Sequence, residues 1–289
     1  MREEHSSGDL LKGIKGRGIT NEYRKVSETL PDEAQSKVSY SMGDEFNHEK
    51  IEEDICELKE SIRINPKDTD AHCTLGLAYH IKGRLDEAIS ELKEAIKIDP
   101  KFDMAHFNLG CVYLTKGELK KAIKEHREAL KINPNDAEVH YNLGIIYGRQ
   151  RNFKEAIKEY KEALRIDPNF AMAYMAHCDL GGIYAAQGRL DESITELKEA
   201  IRINPNAADA HYNLGSLYGP LGRLDEAITE LKEAIRIDPN DAYAYSNLGA
   251  AYLTQGKIDE AITEFNEALR IAPNLTTAQY GLTLAHRKK

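Results

Sequence analysis

The chain contains no tryptophan and only four cysteines among its 289 residues. The cysteines show no Cys-x-x-Cys spacing and each falls inside a predicted helix, so the sequence predicts neither a disulfide framework nor a cysteine-based metal site. They are Cys56, Cys73, Cys111 and Cys178. No stretch of 18 apolar residues occurs, and the N-terminus is charged rather than apolar. We therefore expect a reducing, cytoplasmic location and no membrane association.

The chain also has fewer basic than acidic residues. There are 39 lysines and arginines against 48 aspartates and glutamates, which gives a net charge of −9 at pH 7. A general nucleic-acid-binding protein needs a basic face to displace counterions from phosphates. The balance therefore argues against a nucleic-acid partner and favours a protein or peptide partner.

A 34-residue pattern fills most of the chain, and residues 208–241 show it most clearly. A Leu-Gly pair stands seven residues into the pattern, a tyrosine at eleven and a proline near its end. The leucine recurs at Leu75, Leu109, Leu143, Leu180, Leu214 and Leu248, and the proline at Pro100, Pro134, Pro168, Pro205, Pro239 and Pro273. Such a period predicts a helical array in which each repeat packs on its neighbours.

Two helices per repeat are indicated by the spacing of apolar residues. In the second half of 208–241, apolar residues from Leu224 to Ile237 mark one stripe at the helical period. Gly222 suits a left-handed helix end and Pro239 cannot continue a helix, while Asn240 or Asp241 can cap the next one. We call the first helix of each repeat helix A (about positions 1–14) and the second helix B (about positions 17–31).

These letters resemble the tetratricopeptide repeat, throughout residues 69–289 and weakly over 35–68. The resemblance implies an all-α, right-handed superhelical solenoid of antiparallel helix pairs, in which helices A line a concave groove that takes peptides or partner helices. We expect a polar, poorly ordered segment at 1–34, a degenerate capping repeat at 35–68 and a C-terminal capping helix at 276–289. The six full repeats expected between them are 69–102, 103–136, 137–170, 171–207, 208–241 and 242–275.

Three departures from the pattern carry local predictions. Arg151 replaces the glycine found between the helices of the other full repeats, which predicts a different, basic turn. Pro220 should end its helix A early, near Tyr218. Three extra residues before His177 should start that helix A nearly one turn early, with Met172 and Tyr174 projecting past the groove edge.

No constellation predicts catalysis or a cofactor. Histidine occupies position four of five successive repeats, at His72, His106, His140, His177 and His211. Corresponding residues of neighbouring helices are separated by at least a helix-packing distance of about 8–10 Å, too far for two rings to share one ion. We therefore expect packing rather than metal binding, and no catalytic residue.

Position six of helix A carries a sharper signal, because it repeats asparagine, a poor residue for a helix interior. The candidate peptide-binding residues are this row and the aromatic residues one position earlier: Asn108, Asn142, Asp179, Asn213 and Asn247, with Phe107, Tyr141 and Tyr212. A side-chain amide both donates and accepts, so it can bind an extended peptide backbone. The alternative is that each asparagine bonds a neighbouring helix. The row is similar to the asparagine ladder in the repeat arm of O-linked N-acetylglucosamine transferase.

The sequence thus predicts a non-enzymatic, monomeric interaction scaffold that binds an extended segment in a groove lined by helices A. Two alternatives remain open. The chain could be the targeting or regulatory subunit of a separately encoded enzyme, or a structural protein that assembles with itself.

Overall fold

The computed structural model describes the backbone of residues 48–289 and the side chains of residues 51–289. Every regular element in that range is an α-helix, which confirms the all-α prediction. The polar segment 1–34 and the first helix of the repeat 35–68 lie outside the described residues. The chain forms two compact units, of which the N-terminal unit ends at Ile166 and the C-terminal unit covers Asp167–Lys289.

The described part of the N-terminal unit contains one helix followed by three helix pairs. In chain order these are α1 (His48–Ile64), α2 (Thr69–Ile81), α3 (Leu85–Ile98), α4 (Asp103–Thr115), α5 (Leu119–Ile132), α6 (Ala137–Arg149) and α7 (Phe153–Ile166). Helices α2, α4 and α6 are helices A, and each packs against the helix B that follows it.

The C-terminal unit has three more pairs and a final single helix. They are α8 (Ala173–Ala186), α9 (Leu190–Ile203), α10 (Ala208–Tyr218), α11 (Leu224–Ile237), α12 (Ala242–Thr254), α13 (Ile258–Ile271) and α14 (Thr276–Lys288). Helices α8, α10 and α12 are helices A, and α14 packs on both α12 and α13.

Close packing within each pair depends on the glycine of the Leu-Gly motif. A Cβ atom added to Gly215 would lie only 2.7 Å from Leu231 Cγ, and Leu231 is 1% exposed. A residue larger than glycine would therefore push α10 away from α11. Ala227 and Ala234, the small residues of α11, are buried in the same contact.

The turn between helix A and helix B has one conformation in all six pairs. Gly222 has a φ of +74°, and the Arg223 N–H donates to the Tyr218 carbonyl at 3.0 Å. Arg151 takes the same left-handed conformation with a φ of +56°, and Asn152 N–H donates to the Tyr147 carbonyl at 2.9 Å. The predicted different turn at Arg151 is therefore wrong, because the helix-ending hydrogen bond imposes one backbone path whatever the side chain.

The other two local predictions concern Pro220 and the three-residue insertion, and both can be compared with the structure. Helix α10 ends at Tyr218, as predicted from Pro220. The three-residue insertion, however, starts α8 only one residue earlier than its neighbours relative to position four. The extra residues instead form a turn that ends at Met172, which is 5% exposed, so the expectation that Met172 projects outward is wrong. Burying this apolar side chain outweighs extending the helix.

Capping side chains reinforce several helix starts. Asp241 accepts hydrogen bonds from the N–H groups of Tyr243 and Ala244, and Asp68 accepts one from Ala71. These bonds satisfy donors that have no partner within the helix. Before α2, helix α1 buries Ile51 and Ile55, whereas Ile64 at its C-terminal end is 60% exposed.

Candidate functional site

In the N-terminal unit the asparagines of position six face the preceding helix A. Asn108 Nδ2 donates to Cys73 Sγ at 3.3 Å, and Asn142 Nδ2 donates to Cys111 Sγ at 3.4 Å. Asn108 is 2% exposed and Asn142 is 7% exposed. Both amides therefore link neighbouring helices A, which is the alternative that the sequence left open.

The aromatic residues beside them are buried as well. Phe107 packs its ring 5.9 Å from the ring of His126, and Tyr141 packs 5.7 Å from Tyr160, in each case against helix B of the same repeat. Each of these position-five rings is 3% exposed. The expectation that Phe107 and Tyr141 present a surface to a groove is therefore wrong, because large apolar rings gain more by packing inside the pair.

The corresponding residues of the C-terminal unit are half-buried and accessible. They are Asp179, Tyr212, Asn213 and Asn247. Asn247 Nδ2 donates to Ser216 Oγ at 2.9 Å and lies 3.4 Å from the Tyr212 hydroxyl, so α12 is tied to α10 along this face. Asn213 makes no side-chain hydrogen bond with the described residues. The unit therefore presents asparagine amides that are positioned and still open to solvent.

Small and aromatic residues that sequence analysis did not include complete this face. Ser216 stands at position nine of α10 and holds Asn247, while Ala250 at position nine of α12 is exposed. Tyr280, at position five of α14, is 66% exposed. Repeat positions could have identified all three in the sequence, because Ser216 and Ala250 lie one turn from a candidate asparagine and Tyr280 lies two repeats from Tyr212.

The position-four histidines have partners that the sequence prediction missed. In five repeats the Nδ1 atom lies within hydrogen-bond distance of a helix B glutamate 19 residues later. The pairs are His72–Glu91 (2.7 Å), His106–Glu125 (2.9 Å), His140–Glu159 (2.6 Å), His177–Glu196 (2.6 Å) and His211–Glu230 (2.6 Å). The constant spacing was visible in the sequence, but only the fold shows that the two positions meet.

Two of these pairs alter the pKa of the histidine. The hydrogen bond that His106 donates to Glu125 raises the pKa of His106, and the one that His211 donates to Glu230 raises the pKa of His211. In 242–275 a tyrosine, Tyr245, replaces the histidine, and there burial raises the pKa of Glu264. Burial also opposes ionisation of Glu125, but there the hydrogen bonds from His106 and Lys124 lower the pKa, so His106 helps to keep this glutamate charged.

Two of the four cysteines are unsuited to nucleophilic chemistry. Burial raises the pKa of the Cys73 and Cys178 thiols to about 12 in each case. A thiolate is the reactive form, and it is not populated near neutral pH at such values. Within residues 51–289, no three His, Cys, Asp or Glu side chains are grouped so that they could hold a metal ion.

Comparison with known families decides the classification. Models described as "TPR repeat" match residues 76–117, 112–150, 181–222 and 220–256, and models described as "Tetratricopeptide repeat" match residues 57–90, 137–170 and 242–275. The chain belongs to the tetratricopeptide repeat family. No curated protein matches it.

Solved structures share the fold at low sequence identity. The chain is similar to PilF of Pseudomonas aeruginosa, with 22% identity and a TM-score of 0.69 over 76% of this chain and 100% of that one. It is similar to YrrB, described as a TPR protein with an unusual peptide-binding site, with 22% identity and a TM-score of 0.57 over 66% of this chain and 97% of that one. A third similar structure is the APC/C hetero-tetramer Cut9–Hcn1, with 19% identity and a TM-score of 0.64 over 96% of this chain and 58% of that one.

The tetratricopeptide fold and these neighbours support a protein-interaction scaffold. Among the described helices none is both long and apolar enough to cross a bilayer.

Proposed function

We propose that this protein is a non-enzymatic, cytoplasmic interaction scaffold and that its C-terminal unit binds an extended peptide segment along helices α8, α10 and α12. The observation that carries the proposal is the pair of half-buried asparagines, Asn213 and Asn247, on the helix A face. The four cysteines are free thiols, which supports a reducing compartment.

Asn247 is prepared for peptide binding by its own contacts. The Ser216 hydroxyl fixes the Nδ2 side of the amide at 2.9 Å, and the Oδ1 atom makes no hydrogen bond with the described residues. A fixed side chain loses little rotamer entropy on binding, and its free oxygen can accept a peptide N–H. Asn213 makes no side-chain hydrogen bond with the described residues, so its amide can offer a ligand both a donor and an acceptor.

The rest of the face suits a backbone ligand rather than one recognised by charge. Ser216, Gly182 and Ala250 have small side chains, so a peptide backbone can approach the helices closely. Tyr212 is half-buried and Tyr280 is exposed, and both offer apolar area for a ligand side chain. YrrB, which shares the fold, is described as having a peptide-binding site, and Cut9–Hcn1 is a complex of two proteins.

Each asparagine bond to a peptide should contribute about 0.5–1.5 kcal/mol, so two bonds without further contacts give weak binding. Contacts of Tyr212 and Tyr280 with apolar ligand side chains are needed to reach micromolar affinity, because ordering a peptide has a comparable unfavourable cost. We expect a ligand with an apolar residue beside an extended stretch.

The test uses peptides selected from a random displayed library on the immobilised full chain, with the affinity of a selected peptide measured by fluorescence anisotropy. Asn213→Ala combined with Asn247→Ala should weaken binding about tenfold or more. Asn266→Ala, the same substitution on the exposed side of α13, is the control and should leave the affinity unchanged. Equal affinity of wild type and double variant would show that the asparagines do not bind the ligand.

A further inference from the structure

Helices α5 and α7 each carry a row of four cations, whereas α3, α9 and α11 have cations at only the last two of the same positions. The cations occupy positions 18, 22, 25 and 29 of their repeats, a spacing of i, i+4, i+7 and i+11 that places them along one side of a helix. We call these eight exposed residues the basic face: Lys120, Lys124, Arg127 and Lys131 of α5, with Lys154, Lys158, Lys161 and Arg165 of α7. Each row extends over about 16 Å.

The other helices B have the opposite charge balance. Helix α5 contains five basic and two acidic residues, whereas α11 contains two basic and four acidic residues. Helices α3 and α9 repeat the balance of α11, and α13 is more acidic still. The cations at positions 18 and 22 are therefore a local feature of an acidic chain, whereas those at positions 25 and 29 recur in α3, α9 and α11.

Lysine at position 18 gives up a hydrogen bond that other repeats make. In those repeats position 18 is aspartate and can bond a residue of the following repeat. Asp86 accepts from Lys116 at 2.5 Å, Asp225 accepts from Gln255 at 2.7 Å and Asp259 accepts from Lys289 at 2.7 Å. Lys120 and Lys154 make no hydrogen bond or ion pair with the described residues.

A third cation nearby also replaces the residue that the fold favours. Arg151 stands at the turn three residues before Lys154, is exposed, and has a φ of +56°, where the other five turns have glycine. A left-handed conformation is unfavourable for a residue with a Cβ atom. At all three positions, a basic residue replaces the aspartate or glycine that would stabilise the repeat better.

We propose that the basic face is a docking surface for an acidic segment of a partner protein. The cations of the basic face attract the carboxylates of such a segment. Carboxylates along one side of a partner helix match cations that are spaced by one helical turn. The surface lies on helices B, so the proposal is independent of peptide binding on helices A.

A protein partner fits this face better than nucleic acid. Carboxylates interrupt the cations, since Lys131 pairs with Glu128 at 2.7 Å and Arg165 pairs with Glu162 at 2.7 Å. Duplex DNA presents a phosphate charge about every 1.7 Å and would meet these carboxylates, whereas a partner helix can place its charges between them. The exposed cations are also screened beyond about 8 Å at physiological salt, which favours a short, matched contact.

The test measures anisotropy of a fluorescein-labelled 16-residue peptide of glutamate and alanine, with glutamates at i, i+4, i+7 and i+11. The full chain should bind it at about 50 mM salt and lose most of that binding at about 300 mM salt. The variant Lys120→Asp/Lys124→Thr gives α5 the residues that α11 has at these positions, and it should bind about fivefold or more weakly. It should fold as well as wild type, because Gln150 then stands opposite an aspartate as Gln255 stands opposite Asp225.

Two further variants make the result specific. Lys67→Asp/Lys198→Thr lowers the net charge equally on other exposed surfaces and should bind within about twofold of wild type. Lys154→Asp/Lys158→Thr repeats the test on α7 if the α5 variant fails to fold. The proposal is overturned if the peptide does not bind wild type, if the α5 and α7 variants bind like wild type, or if a 16-base-pair DNA duplex binds as tightly as the peptide.

Discussion

His106 lies between two acceptors, with its Nδ1 atom 2.9 Å from Glu125 Oε2 and its Nε2 atom 3.3 Å from the Pro100 carbonyl oxygen. His211 has the same arrangement with Glu230 and Pro205, at 2.6 and 3.1 Å. Only a doubly protonated ring can donate to both acceptors. The geometry therefore matches the raised pKa of both histidines and favours the protonated ring in these two repeats.

This arrangement predicts stability that declines at alkaline pH. Because the folded pKa of His106 is raised above its ordinary value of about 6.5, its stabilising effect is complete below that pH and is lost as pH rises through the folded value. Burial opposes ionisation of Glu125, but the hydrogen bonds from His106 and Lys124 outweigh it and lower the pKa of this carboxyl. The glutamate's contribution is therefore present above about pH 4.5.

Urea unfolding of wild type and His106→Gln at several pH values checks this. The difference in the free energy of unfolding should be on the order of 1 kcal/mol near pH 6 and should shrink towards pH 8.5. His286→Gln, on the exposed end of α14, should show no such pH-dependent difference. A difference for His106→Gln that is constant with pH would mean that the histidine is neutral.

A second prediction concerns His126, which stands where other repeats have leucine, tyrosine or phenylalanine. The residue is fully buried, and neither ring nitrogen has a hydrogen-bond partner among the described residues. We expect His126→Leu to raise the free energy of unfolding by about 1–3 kcal/mol, because an unsatisfied polar group is removed from the core. Leu92 and Leu231 already pack against the same glycine position in their own repeats.

The increase in the free energy of unfolding caused by His126→Leu should depend on pH. Burial lowers the pKa of His126 to about 4, so the folded state holds a neutral ring that the unfolded state protonates below about pH 6.5. Histidine at this position therefore loses stability as pH falls, and the advantage of His126→Leu should be larger at pH 5 than at pH 8. Paired urea titrations at the two pH values measure the difference, and an equal gain at both would contradict the neutral assignment.

The fold was predictable from the sequence because the residues that determine the helix contacts and the helix ends lie within each repeat. The Leu-Gly pair sets the helix contact, and the glycine turn and proline set the helix ends. The partners of side chains between helices were not predictable, because they depend on which residues the packing brings together. Asn108 was predicted to face a groove and instead bonds Cys73 of the preceding helix.

The candidate site has a buried part and an accessible part, and this division also depends on which residues the packing brings together. Asparagine at position six is identical in sequence at Asn142 and Asn213, yet one is buried and the other half-exposed. Their repeats differ in the neighbouring side chains, Cys111 at position nine before Asn142 and Gly182 before Asn213. A pattern within one sequence shows that asparagine recurs at position six, but it does not show that the surroundings of the asparagine differ between repeats.

A third prediction follows for the asparagine row. Asn108→Ala and Asn142→Ala should each lower the free energy of unfolding by about 1 kcal/mol, since each removes a buried hydrogen bond. Asn213→Ala and Asn247→Ala should change it little, because water replaces the lost bonds and alanine is the better helix former. Thermal unfolding of the two double variants tests the contrast. An Asn108→Ala/Asn142→Ala variant that melts at or above the wild-type temperature would show that the buried amides contribute no stability.

The last prediction concerns Arg151 and links the fold to the basic face. Arg151→Gly should raise the free energy of unfolding by about 0.5–1 kcal/mol, because glycine adopts the left-handed φ of +56° more readily than arginine does. The reverse change at an equivalent turn, Gly117→Arg, should lower it by about the same amount, since Gly117 has a φ of +75° and open space around it. Urea unfolding compares the two variants, and anisotropy with the acidic peptide is measured on the same samples. If Arg151→Gly is more stable and binds the peptide more weakly, then Arg151 lowers stability at this turn and strengthens docking. A variant that is no more stable than wild type would show that the turn is not strained.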